Sequence, residues 1–126
     1  MGGETVDTHP SSVTSALYSL TVEIGADFAQ SFRIRNGQVR ALVPLEDWIF
    51  KAQIRLTPNG VVIADFDTTL SDDGLTLTLS IPWDVTSELA PQTAAHWDLL
   101  AIRPDGIRNR LLEGRVSITD RITVYV

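Results

Sequence analysis

A histidine and a group of aspartates are the side chains of this sequence that could do chemistry. His96 lies within the predicted fold, whereas His9 stands in a polar stretch near the start. A serine-histidine-aspartate site would need His96 as its base, yet no serine stands in the G-x-S-x-G pattern that positions many nucleophiles. His96 alternates with Trp97, so the two side chains should face opposite sides of a strand. We therefore interpret His96 as a partly exposed strand residue, and we predict neither catalytic residues nor enzymatic activity.

Four aspartates stand close together in the stretch ADFDTTLSDDG, at positions 65, 67, 72 and 73. Carboxylates this close could bind a hard cation such as Ca²⁺ through oxygen, but Leu70 occupies the glycine position of an EF-hand loop. Asp65 and Asp67 should share one face of a strand, and Asp72 and Asp73 should lie in a turn. We therefore predict a solvated surface without a metal site, with calcium binding as the alternative. P-loop, dinucleotide-binding and zinc-ligand spacings do not occur in the sequence, so we expect no cofactor.

Three tryptophans could stack on the rings of a bound sugar. A carbohydrate-binding module that contacts host glycans is therefore the alternative from another functional class. Trp48 and Trp97 alternate with other apolar residues, so we predict that both belong to the core. Trp83 follows Pro82 at the end of a predicted strand, and the pattern does not decide its position.

The composition is typical of one globular domain. The chain has 126 residues, of which 44% are hydrophobic, and it has no cysteine, which excludes disulfides and thiol chemistry. A net charge of −6 argues against general nucleic-acid binding. The apolar runs are too short for a membrane-spanning helix. We therefore expect neither nucleic acid nor a membrane as a partner.

Charge is distributed unevenly along the chain. Between Glu46 and Asp98 there are nine acidic residues against two basic ones, and between Arg103 and Arg121 there are five arginines against three acidic residues. The acidic middle and the basic end could be complementary surfaces between neighbouring subunits. The alternative is an ordinary mixed surface.

Alternation of apolar and polar residues predicts strands with one buried face. The clearest stretch runs from Leu75 to Ile81, where three leucines and an isoleucine alternate with threonine and serine. The same period recurs in residues 18–24, 28–34, 48–56, 97–101 and 112–118. Four turn dipeptides punctuate these stretches: Asn36-Gly37, Asn59-Gly60, Asp73-Gly74 and Asp105-Gly106.

Two local motifs refine this pattern. The stretch RPDGI predicts a type I turn with Gly106 in a left-handed conformation, and it should join the strand of Trp97 to the strand of Val116. The stretch PWDVTSELA predicts one helical turn with Asp84 as its cap.

These elements predict an all-β fold, a single Ig-like antiparallel β-sandwich of about seven strands with one short helical turn. A small barrel is the alternative architecture. Residues 1–15 are small and polar, so we interpret them as an extended or flexible N-terminal arm. Residues 16–126 then form the sandwich domain, including a C-terminal strand that could extend to a partner.

The last six residues, RITVYV, alternate like a strand after the break at Thr119-Asp120-Arg121. Two interpretations stay open. The segment continues the preceding strand within its own sheet, or it adds a strand to a neighbouring subunit. On the second interpretation we predict these partner-binding residues: Arg121, Ile122, Val124, Tyr125 and Val126.

Three stretches together resemble one protein family. LTVEIGADFAQSFRI is a strand, a Gly-Ala-Asp corner and a second strand. VPLEDWIFKAQIR resembles a motif of aspartate-leucine-threonine-glycine before an alternating strand, with Glu46-Asp47 in place of threonine-glycine. IPWDVTSELAPQTAAHWDLLAIRPDGIRNRLLEGRVSITDRIT resembles the remainder of the same domain. Over about residues 16–123, the set is similar to small phage and prophage tail proteins with Ig-like domains related to the N-terminal domain of baseplate upper proteins.

The resemblance implies a virion structural protein. Such domains are assembly adaptors at the tail, the baseplate or the fibre attachment, and they act through contacts with other virion proteins and, we expect, with further copies of the chain. The implied location is the virion, assembled in the host cytoplasm, and the family has no catalytic residues to carry over. A capsid decoration protein is the alternative within the same class.

Overall fold

Strands in which apolar and polar residues alternate bury one face each, and in this protein the buried faces of two sheets pack against each other. The computed structural model describes residues 4–8, 16–36 and 41–120. Within these ranges it contains the following elements: β1 (Glu4–Thr8), β2 (Ala16–Leu17), β3 (Leu20–Glu23), β4 (Phe28–Asn36), β5 (Ala41–Leu42), β6 (Ile49–Arg55), β7 (Val62–Asp65), β8 (Asp67–Leu70), β9 (Leu77–Ile81), α1 (Trp83–Thr86), β10 (Gln92–Ile102) and β11 (Arg108–Thr119). The predicted all-β sandwich with one short helical turn is thereby confirmed.

The strands form two sheets. The smaller sheet has the order β1-β4-β9-β8, with β5 also beside β4, and the larger sheet has the order β2-β11-β10-β6-β7, with β3 also beside β11. Most neighbours are antiparallel, but β1 runs parallel to β4, and β2 and β3 run parallel to β11. The described strands exceed the predicted seven, because several are two to five residues long and too short for a clear alternation.

The core lies between the two sheets. Leu77, Leu79 and Ile81 are fully buried, as the alternation of β9 predicts. Trp97 is also buried and stacks on Phe32 with 6.1 Å between ring centroids, so its predicted place in the core is confirmed. Trp48 is half-buried and stacks on Phe50, which packs against the core.

The turns agree with the sequence wherever they are described. The β10–β11 turn closes through a bond that the Arg103 amide donates to the Ile107 carbonyl, and Gly106 has a left-handed φ of 89°. Asn59 and Gly74 are left-handed as well, with φ values of 63° and 73°. Such conformations favour glycine and asparagine. Gly37 lies outside the described residues.

The predicted cap of the helical turn is wrong. Asp84 lies inside the first turn of α1, and Pro82 precedes the helix without a side-chain cap. The backbone amide of Trp83 donates instead to the Asp27 carboxylate, 2.7 Å away and 56 residues earlier. Local sequence favoured Asp84, but the fold brings a carboxylate from the corner after β3 to the free amide.

Thr86 fastens the helical turn to the same corner. Its side chain is fully buried. Its hydroxyl accepts a hydrogen bond from the Gly25 amide at 3.1 Å and donates one to the Ala26 carbonyl at 2.9 Å. Because Gly25 follows β3 and α1 follows β9, this hydroxyl connects the larger sheet to the smaller one.

One strand changes sheets at Phe66, which corrects the predicted placement of two aspartates. β7 belongs to the larger sheet and β8 to the smaller one, so Asp65 and Asp67 do not share a strand face. Phe66 is buried between them, and its amide donates to the Ala52 carbonyl at 3.0 Å. Burying this ring requires the chain to turn inward at a position where alternation alone predicts a continuous strand.

The predicted N-terminal arm is described in part. Glu4–Thr8 forms β1 and pairs with β4 in the register Glu4–Phe32 to Thr8–Asn36. The remaining residues of 1–15 lie outside the described residues, so the extent of the arm stays a prediction.

Candidate interaction face on the larger sheet

The outer face of the larger sheet carries long charged side chains in rows across three strands. The pairing of β6, β10 and β11 places one residue of each strand in every row. From one end of the sheet to the other, the rows are Arg115–His96–Arg55, Glu113–Asp98–Gln53, Arg110–Leu100–Lys51 and Arg108–Ile102–Ile49. One acidic row therefore follows the first basic row, and the last two rows are basic and add apolar residues. We call this surface the row face.

A groove of about 670 Å³ lies over the first two rows. Its polar side chains take part in two separate groups of hydrogen bonds. Arg55 donates to the Gly60 carbonyl at 2.6 Å and to Gln53 at 2.9 Å, and Gln53 donates to Asp65 at 2.8 Å. Asp98 pairs with Arg110 at 3.1 Å. These bonds hold the side chains in fixed positions, which suits recognition by a preorganised surface.

One wall of this groove is the seam where β2 and β3 join β11. The Trp97 indole nitrogen donates to the Tyr18 carbonyl at 2.7 Å, and the Tyr18 amide donates to the Glu113 carbonyl. A Cβ atom at Gly114 would overlap the same Tyr18 carbonyl oxygen. Glycine at position 114 therefore allows the first strands to lie against β11. Leu17, at 81% exposure, stands at the rim of the groove.

His96 lies where the alternation predicts, on the row face and opposite to Trp97. It is half-buried, and its cross-strand neighbours are Arg55 and Arg115. Both neighbours are cations, whereas a histidine that acts as a base in a triad has a carboxylate and a hydroxyl beside it.

The four clustered aspartates are separated in the fold. Asp65 binds Gln53 on the row face, whereas Asp73 lies in the turn before β9. The hydroxyl of Ser71 and the amide of Leu75 donate to Asp73, and these bonds lower the pKa of its carboxyl below the ordinary value of 3.8. Among the residues described, no three histidine, aspartate or glutamate side chains are placed to hold a metal ion.

A second groove, of about 390 Å³, lies over the last two rows. Residues 49–52 of β6 line it together with Phe66. Ile49 is 63% exposed there, and Leu100 and Ile102 are half-buried beside it. Lys51 and Arg108 are exposed at the rim. We call this site the edge groove, because β7 pairs with β6 only from Gln53 to Arg55, and none of the described strands pairs with the remainder of that edge.

Comparisons with known proteins assign no family to this chain. No protein-family model matches it, and no curated protein matches it significantly. In the part of the chain that the structure describes, no helix has the length and apolar character needed to span a membrane.

The partner-binding residues predicted from the sequence cannot be placed on this surface. Arg121, Ile122, Val124, Tyr125 and Val126 lie outside the described residues, so their role stays a prediction. Sequence analysis did not find the row face as a unit, although alternation in each strand already predicts its outward residues. The missing information was the cross-strand register, which aligns Arg115, His96 and Arg55.

Trp83 is the tryptophan left on the surface. It is 59% exposed, whereas Trp97 is buried and Trp48 half-buried, so a flat platform of several tryptophans does not form. Trp83 lies on α1 and lines neither groove of the row face, so a sugar stacked on it would bind elsewhere.

Proposed function

We propose that this protein is a structural component of a bacteriophage virion. It acts as an assembly adaptor at the tail, the baseplate or the fibre attachment, through protein–protein contacts and without catalysis. The observation that supports the proposal best is the row face, which combines fixed charged side chains with an apolar groove. Surfaces of this composition fit protein partners, because charge rows set the register and apolar residues supply affinity.

The Ig-like resemblance of residues 16–123 supplies the phage context of this proposal. Repeated contacts between copies and with other virion proteins would use the row face and the predicted C-terminal residues. A capsid decoration protein would need the same kind of surface, and the position of the chain in the particle would separate the two roles. The host cytoplasm is the proposed place of assembly.

A particle experiment tests this function. Particles are purified from a host that encodes the chain and from the same host with the gene deleted, and their proteins are quantified by mass spectrometry. We expect the chain at a fixed copy number, with fewer tail or fibre proteins after deletion. Absence of the chain from purified particles, or complete infectious particles after deletion, would overturn the proposal.

Two variants refine this experiment. His96→Ala should restore infectivity almost fully, because Arg55 and Arg115 keep the charge of its row and because His96 has cations beside it instead of the partners of a catalytic base. Deletion of residues 121–126 should leave a folded monomer, measured by thermal melting, but should lower incorporation into particles. A large loss of infectivity in the folded His96→Ala variant would favour catalysis or metal binding instead.

A further inference from the structure

The edge groove exposes unused hydrogen-bonding groups of the backbone. β10 covers β6 from Ile49 to Arg55, but on the other side β7 pairs only with Gln53 to Arg55. The bond from the Phe66 amide to the Ala52 carbonyl is the last one on that side. Within the described residues, no strand pairs with Ile49 to Lys51 on that side.

The direction of these groups follows from strand geometry. Alternate residues of a strand direct their backbone amide and carbonyl toward the same neighbour. The Ala52 carbonyl points away from β10 toward Phe66, so the amide and carbonyl of Phe50 point the same way. They open into the edge groove, which is lined by both Phe50 and Ala52. An added strand would find one donor and one acceptor there.

The charge at the rim of the groove determines which side chains a bound strand should carry. Lys51 and Arg108 are exposed cations, and neither side chain has an ion-pair or hydrogen-bond partner among the described residues. The nearby carboxylate of Asp65 is already bound by Gln53. Ile49, Leu100 and Ile102 add apolar surface between the cations. Alternate side chains of an added strand face opposite sides of the sheet. A segment with carboxylates at alternate positions would therefore direct them toward these cations on the row face, and the apolar residues between them would face Phe50 and Phe66 on the other side.

We infer that the edge groove binds an extended acidic segment of another virion protein by strand addition at Phe50. The identity of the partner class rests on the proposed function, whereas the groove chemistry rests on the described residues alone. The chain's own segment RITVYV is a weaker match, because it carries an arginine and no carboxylate. The opposite rim charge would be needed to favour that segment.

A peptide titration of the isotope-labelled full chain tests the inference by nuclear magnetic resonance. The probe is the capped peptide Glu-Val-Glu-Val-Glu. Two matched controls are Lys-Val-Lys-Val-Lys and the acidic peptide with methylated backbone nitrogens, which keeps its charge but cannot pair as a strand. We expect saturable shifts of the Phe50 and Lys51 amides with the first peptide, and at least about tenfold weaker binding of both controls.

Protein variants make the test specific. Lys51→Glu should weaken binding of the acidic peptide about tenfold, whereas Arg115→Glu, at the opposite end of the row face, should leave it unchanged.

Unchanged shifts at Phe50, or equal binding of the methylated peptide, would overturn strand addition. Protection of the Phe50 amide that grows with protein concentration would assign the groove to a second copy. Protection lost on deleting residues 121–126 would assign it to the chain's own segment. Either result would overturn the acidic partner.

The peptide and particle experiments fail independently. If the chain is present in virions but binds no peptide, the strand-addition site is overturned and the proposed function stands. If the chain binds the acidic peptide but is absent from virions, the proposed function is overturned and the site stands.

Discussion

The two sheets of the sandwich share one core but present different outer faces. On the smaller sheet, cross-strand pairing aligns Ser31, Thr78 and Thr69, and the Ser31 and Thr78 hydroxyls bond each other at 2.7 Å. On the larger sheet, the same kind of row contains Arg115, His96 and Arg55. In these two rows, short hydroxyl side chains satisfy each other and reach little beyond the sheet, whereas long charged side chains extend into solvent.

This difference separates two kinds of constraint on the sequence. The inward residues of both sheets are apolar, because the shared core requires it. The outward residues are free of that requirement, so their chemistry reflects what each face meets. Changes at the seam of the larger sheet, between the sheets, and in a turn of the smaller sheet should therefore have effects that differ in size and in pH dependence.

The largest effect should come from Gly114→Ala in the seam of the larger sheet. A Cβ atom there overlaps the Tyr18 carbonyl oxygen, and backbone cannot move aside as a side chain can. We expect a loss of about 3 kcal/mol in the free energy of unfolding, measured by urea denaturation. Gly106→Ala is the matched control. It has open space but a left-handed φ, so it should cost about 1 kcal/mol. Equal losses would show that the seam is not tightly packed.

Thr86→Val should have an intermediate effect on the connection between the sheets. Valine keeps the shape of threonine but leaves the Gly25 amide and the Ala26 carbonyl without this partner. We expect a loss of about 2 kcal/mol by the same measurement. The control Thr78→Val removes a partly buried hydroxyl from the outer face of the smaller sheet, where it bonds one other hydroxyl instead of two backbone groups, and should cost about 1 kcal/mol or less. If Thr78→Val lowers the free energy of unfolding as much as Thr86→Val does, the buried bond of Thr86 is not worth more than the bond between Ser31 and Thr78.

The smallest effect should come from Asp73→Ala in the turn of the smaller sheet, and it should depend on pH. Bonds from Ser71 and Leu75 lower the pKa of the Asp73 carboxyl in the folded protein below 3.8. A lowered folded pKa stabilises the protein above the unfolded pKa, and this contribution is lost as pH falls through the folded pKa. The melting temperature of the variant should therefore be slightly lower than that of the parent at pH 7, and the difference should shrink toward pH 2.

Asp72→Ala is the control for that measurement. It removes the same charge from the neighbouring residue, which has no hydrogen bond to another residue among those described. A similar pH-dependent loss in this control would mean that general charge, and not the bonds to Asp73, stabilises the turn.

The alternation of apolar and polar residues predicts much of this fold, because the apolar residues of each strand are the ones that must be buried. Leu77, Leu79 and Ile81 face the core as predicted, and so does Trp97 opposite His96. The β10–β11 turn was also predictable, since Pro104 and Gly106 impose its geometry locally. These features depend on neighbours in sequence.

The features that sequence analysis missed depend on distant contacts. Asp27 caps α1 from 56 residues away, so the nearer Asp84 was the only candidate that local rules could offer. The change of sheets at Phe66 depends on burial of one ring, which alternation does not distinguish from a continuous strand. The edge groove exists only because the chain leaves the larger sheet at that residue, and so it could not be predicted either.

Parallel pairing at the seam determines how the domain should respond to mechanical force. The first described residues of the larger sheet, from Ala16 to Glu23, run parallel to residues 112–119 of β11. Tension applied at Ala16 and Thr119 in opposite directions would slide these strands along each other. All bonds of the pairing would then bear load together, instead of opening one at a time as in an antiparallel hairpin pulled from its open end. A domain with this geometry should rupture at high force and extend little before it does so.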